Sequence, residues 1–226
     1  MRFDREVWRA KLAPLLEQWH HLAEKHPALS GLTKNVNVGP ACCPIPGAGV
    51  KKAELDVAAA SETMDPIAGF VAMEHAIAMA ITADVSSTLT ALKKVVYGTA
   101  LLTPQIQAVA TNLMAGNVPI AWAKKWEGPG KPAAWLALLA RKAVAITSWQ
   151  AKAHDGTLLD VELDLNDVFR PLTFLNALRQ LAARKTSCPM DALELVSGWS
   201  KNSITSPAPI VVKVRTLEYL KIHLFF

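Results

Sequence analysis

FRPLTFLNALRQLAAR, residues 169–184, decides the fold. Phe169-Arg170-Pro171 reads as a corner, and Phe174, Leu175, Leu178 and Leu181 then recur at the spacing of an amphipathic helix. Just upstream, Val161, Leu163 and Leu165 alternate with Glu162 and Asp164, the period of a half-exposed strand. Four stretches of helical periodicity come before that strand. The pattern predicts a mainly α protein, a helical bundle-like start followed by a small C-terminal β element.

Working outward, Trp8, Leu12, Leu15, Trp19 and Leu22 define one face of a first helix, with Pro14 predicting a kink or restart inside it and His26-Pro27 its end. Residues 30–64 are punctuated by glycine and proline and hold no apolar period, so they read as a flexible linker. Asp65-Pro66 then caps a long helix carrying Ile67, Phe70, Ile77, Ile81, Val85, Leu92 and Val96, closed by Gly98. Thr103-Pro104 opens another, with Ile106, Val109, Leu113 and Met114, stopped at Gly116-Asn117. Residues 118–132 read as irregular, with Trp122 and Trp126 as a packing pair. Trp135, Leu138, Leu139, Lys142, Ile146 and Trp149 mark a fourth helix, ending near Asp155-Gly156. Residues 194–199 and 210–214 read as short strands with unpaired edges.

The net charge of +5 comes from scattered lysine pairs such as Lys51-Lys52, Lys93-Lys94 and Lys124-Lys125, a soluble surface rather than the basic stripe of a nucleic-acid module. Three cysteines, with Cys42 and Cys43 adjacent, make neither a disulfide framework nor a zinc knuckle, and predict reduced thiols. The apolar stretch 133–140 stops at Arg141-Lys142, too short to span a bilayer, so neither membrane nor nucleic acid is an expected partner.

Chemistry is hard to find in this sequence. Gly128-Pro129-Gly130-Lys131-Pro132 imitates a phosphate loop, but proline follows the lysine where Ser or Thr would bind magnesium. Gly47-Ala48-Gly49 has no strand leading in and no Gly-Lys-Ser/Thr after it. His20-His21 points two ways on a helix, and Glu74-His75 has no readable partners. Glu162/Asp164 and Asp155/Asp160 are carboxylate pairs without a base, oxyanion donor or metal ligand beside them. No residue is expected to be catalytic, cofactor-binding or metal-ligating.

Ala121-Trp122-Ala123-Lys124-Lys125-Trp126-Glu127-Gly128-Pro129, taken with the order of elements around 169–184, resembles the C-terminal region of dynein heavy chains, most of all the cytoplasmic dynein 2 class of intraflagellar transport. The likeness runs from about Val7 to Val214. It implies that 1–29 is the terminal helix of the sixth AAA+ module lid, 30–64 a flexible linker, and 65–226 the C-terminal domain, truncated and divergent from about 215.

By that resemblance the protein is a ring-packing structural and regulatory part of a minus-end-directed microtubule motor for retrograde intraflagellar transport. The implied partners are the AAA+ ring and other dynein complex subunits, with microtubules engaged only through upstream regions. ATP and magnesium would belong to those upstream modules, leaving no cofactor and no enzyme activity in these residues alone. The implied location is cytoplasm, cytoskeleton and cilium or flagellum. The departure after Val214 suggests a truncated gene product with Met1 internal, whose apolar tail has no partner. The alternative reading is a free-standing helical protein-interaction module.

Overall fold

The computed structural model describes residues 4–26, 29, 65–198, 211–212 and 221–225. Its helices are α1 (Arg5–Lys25), α2 (Pro66–Val96), α3 (Pro104–Met114), α4 (Ile120–Ala123), α5 (Pro132–His154) and α6 (Pro171–Thr186). The strands are β1 (Leu163–Asp164), β2 (Glu194–Gly198), β3 (Val211–Val212) and β4 (Lys221–Phe225). The mainly helical expectation, with a small C-terminal β element, holds. The proposed linker at 30–64, with Gly47-Ala48-Gly49 and Cys42-Cys43, lies outside the described residues.

Local chemistry explains the helix ends. Asp4 Oδ1 accepts the amide protons of Glu6 and Val7 at 3.0 and 3.4 Å, and Asp65 Oδ1 accepts that of Ile67 at 3.2 Å. Each replaces an intrahelical acceptor that a first turn lacks. Thr103 Oγ1 does the same for Ile106 at 3.4 Å. Gly98 closes α2 at φ +79°, left-handed, while the Gly98 and Thr99 amides donate back to Val95 and Lys94. A short helix, α4, occupies part of the stretch expected to be irregular.

The protein divides into two compact units, residues 1–36 with 75–147, and 37–74 with 148–226. In the first, α1 packs along α3. Pro14 does not restart α1, which is one unbroken element from Arg5 to Lys25. Trp8 and Leu12 before the proline and Trp19 after it are all buried. Each contributes about 1.5–3 kcal/mol, enough together to outweigh a proline cost of about 3 kcal/mol. Gln18 Nε2 donates to the Ala133 carbonyl at 3.1 Å, tying α1 to the start of α5. Arg9 stacks over the Tyr97 ring at 4.8 Å, and Lys125 pairs with Asp84 at 3.0 Å.

The second unit centres on Phe174, fully buried, whose ring lies 5.3 Å from Phe70 and 5.4 Å from Trp149. Ile67, Val71, Leu158, Leu163, Leu165 and Leu178 complete this core. Arg179 Nη2 donates to the carbonyls of Met190 and Leu193, at 3.0 and 3.3 Å, holding the segment before β2 against α6.

The expected strand at 161–165 shrinks to Leu163–Asp164, flanked by 3-10 turns at Leu158–Asp160 and Leu165–Asp167. Leu163 and Leu165 still enter the core. The backbone turns because the Asp164 carboxylate accepts the Asn166 amide at 2.9 Å, a local bond that competes with strand pairing. The strands expected to have unpaired edges are paired within the molecule. β1 runs antiparallel to β3, with Leu163 opposite Val212. β2 runs parallel to β4, from Glu194 opposite Lys221 to Gly198 opposite Phe225. Within the tail, the backbone of Lys221–Phe225 thus has β2 as its partner.

α2, not 133–140, is the most extended apolar helix. At 31 residues it is long and apolar enough to cross a membrane by length and composition. Within the structure 39% of its apolar window is buried, and the polar Glu74, Thr82 and Ser86 are buried with its apolar face.

Candidate functional site

The stretch resembling a phosphate loop is filled by its own neighbours. A Cβ on Gly128 would lie 2.7 Å from Trp135 Cδ1 and 2.8 Å from Trp126 Cη2. Trp122 and Trp135 stack with centroids 5.6 Å apart and planes 21° from parallel, and Trp126 tilts onto Trp135 at 5.3 Å. Lys142 Nζ sits 5.5 Å from the Trp126 centroid. Gly128 leaves room for the Trp126 and Trp135 indoles to close over it, and Pro132 is the first residue of α5. The i, i+4 spacing reveals Trp122 and Trp126 as anchors. The third ring, from a different helix, needs the structure.

The carboxylate pairs do not converge on a reaction centre. Asp164 is a cap for the turn that follows it. Asp155 lies 3.4 Å from His154 Nδ1, both exposed, and Asp160 ends a 3-10 turn. His20 pairs with Glu24 at 3.4 Å on the surface of α1. Glu74 is buried and accepts the Phe169 amide proton through Oε2 at 2.6 Å. Burial of His75 lowers its pKa below the ordinary 6.5, because the charged imidazolium is the form that loses most solvation. Among the described residues no group of three or more His, Cys, Asp or Glu is placed to hold a metal ion. Cys188 is a free thiol, half-buried.

The first unit carries a groove of about 420 Å³. Leu12, Leu15, Leu113 and Pro132 form its apolar lining, with Pro14 and Ala133 beside them. Lys11 and Lys131 also line it, and both are exposed. No Asp or Glu is among its lining residues. The periodicity of α1 names Leu12 and Leu15, but only folding brings Lys11 and Lys131, 120 positions apart in sequence (131 − 11), to one groove. Such a surface suits an apolar side chain flanked by carboxylates.

Residues 8–217 match the family described as the C-terminal domain of the dynein heavy chain. The sequence is 36% identical over 217 residues to the cytoplasmic dynein 2 heavy chain 1 of Tripneustes gratilla, covering 96% of this protein and 4% of that one. It is 35% identical over 198 residues to the protein of that name from Homo sapiens, covering 88% and 4%. With the protein of that name from Chlamydomonas reinhardtii the identity is 33% over 214 residues, covering 91% and 4%. These 226 residues thus span a small part of the relatives they match.

Proposed function

We propose, from the premise that the protein belongs to the family of C-terminal domains of dynein heavy chains, that it is the part of a dynein heavy chain that packs on the AAA+ ring and helps regulate it. The motor would be a minus-end-directed, microtubule-based one serving retrograde intraflagellar transport, placed in cytoplasm, cytoskeleton and cilium. The observation that carries this reading is the family match across residues 8–217, which runs from α1 to beyond β3. Within the proposal, residues 1–29 close the sixth AAA+ module, 30–64 link it onward, and 65–226 form the C-terminal domain. The packing of Trp126 and Trp135 against Gly128 supports a structural role for this stretch.

The test is an epitope tag placed at the native locus, within residues 65–226. The expected product is a heavy chain far larger than 24.4 kDa that purifies with dynein subunits. Deleting 65–226 from it should stall retrograde trains and swell ciliary tips. A tagged product of only 24.4 kDa, with normal retrograde transport after deletion, would overturn the proposal in favour of a free-standing interaction module.

A further inference from the structure

The groove of the first unit combines an apolar lining from Leu12, Leu15, Leu113 and Pro132 with the ammonium groups of Lys11 and Lys131. We infer that it docks an acidic segment with an apolar anchor, belonging to the same heavy chain but lying outside these 226 residues. This rests on the reading of the protein as part of a dynein heavy chain.

Size, charge and tethering converge on that occupant. A volume of about 420 Å³ falls within the roughly 300–1,000 Å³ of clefts that bind ligands, and its lining is mostly aliphatic, so the anchor is an apolar side chain. The charge beside it is one-sided. Two lysines and no carboxylate line the groove, and α5 begins there at Pro132 with no acidic residue in its first turn. The positive end of that helix dipole adds to the attraction for carboxylates and penalises a basic occupant.

Tethering selects the source. The relatives extend far beyond the 4% of their length that these residues span. A segment on the same polypeptide that can reach the groove binds intramolecularly, which favours it over a free partner of the same chemistry when the connection is short.

The experiment is photocrosslinking in the full heavy chain, with Ala133→p-benzoylphenylalanine and, separately, Pro14→p-benzoylphenylalanine, both at exposed positions of the groove. Both labels should capture one heavy-chain segment outside 1–226 in which Leu, Ile or Phe lies next to Asp or Glu. Lys11→Glu with Lys131→Glu should cut the yield about tenfold or more, equal to about 1.4 kcal/mol. Lys124→Glu with Lys185→Glu, the same charge change at exposed positions outside the groove, should leave it unchanged. An unaltered thermal melt for each variant confirms an intact fold. Capture of another subunit, of a second copy or of nothing, or a yield insensitive to the Lys11 and Lys131 reversals, overturns the inference and leaves the proposed function standing. A product of only 24.4 kDa overturns both.

Discussion

Glu74 Oε2 accepts the amide proton of Phe169 at 2.6 Å, joining positions 95 residues apart in sequence. The bond fixes the corner from which α6 departs. One turn before Glu74 on α2, Phe70 meets Phe174 of α6, and Arg170 Nη1 reaches Met73 Sδ at 3.7 Å. Three neighbouring positions of α2 thus hold three positions of the corner and helix that decide the fold. Burying a carboxyl group is costly, and a short bond from a backbone amide offsets part of that cost.

Glu74→Ala should therefore destabilise the second unit by about 1–3 kcal/mol, the cost of leaving a buried backbone donor without its acceptor. Denaturant titration measures the magnitude, and hydrogen exchange locates it. The Phe169 amide should lose protection well before amides in the first unit. Unchanged protection at Phe169 would mean that the carboxylate is incidental to the corner.

Gly128 and Gly130 make a matched pair. A methyl at Gly128 would run into the Trp135 and Trp126 rings, whereas a Cβ at Gly130 meets nothing within 4 Å. Gly128→Ala is expected to cost about 1–3 kcal/mol by overpacking and to alter tryptophan fluorescence. Gly130→Ala is expected to be neutral or stabilising by up to about 1 kcal/mol. Neither should change nucleotide affinity, because calorimetry of the purified protein is expected to show no ATP binding at all. A micromolar ATP complex sensitive to Gly130→Ala would restore the phosphate-loop reading.

The features legible in the sequence were those written locally. Asp65 and Thr103 cap helices from side chains two or three residues away from the amides they bind, so the pattern alone names them. Gly98 and Gly116 end helices in the left-handed region for equally local reasons. Pro14 misled because its local cost is overridden by Trp8, Leu12 and Trp19, whose burial is tertiary. The alternation at 161–165 named the buried leucines but not the strand length, since Asp164 supplies a turn instead. The groove was illegible for the same reason as the Glu74–Phe169 bond. Both join residues about a hundred positions apart, and no periodicity reports such a pairing.

His75 gives the stability a pH dependence whose sign is fixed by burial. Its folded-state pKa lies below the ordinary 6.5, so the unfolded state takes up the proton first as pH falls. The stability linked to this residue is complete above about pH 6.5, declines as pH drops below it, and levels off below the folded pKa. Thermal melts between pH 7.5 and about 5, compared for the wild type and His75→Gln, should show a shallower slope in the variant. Equal slopes would assign the pH dependence to other groups.

The family match ends at residue 217, and beyond it β4 pairs in parallel with β2 over five residues. Residues 199–220 connect the two strands, so removing 215–226 deletes β4 without touching β2. β2 would then present unpaired amides and carbonyls along the side β4 now covers, a template for pairing with a second molecule. Size-exclusion chromatography of the purified 226-residue protein should give a monomer, and the form ending at Val214 should self-associate with rising concentration. The Arg179 bonds to the Met190 and Leu193 carbonyls lie before β2 and hold it at the surface of α6 in either form, so self-association should come without loss of helical circular dichroism. A truncated form that elutes as a sharp monomer with an unchanged melt would show that β4 contributes nothing to the protection of that edge.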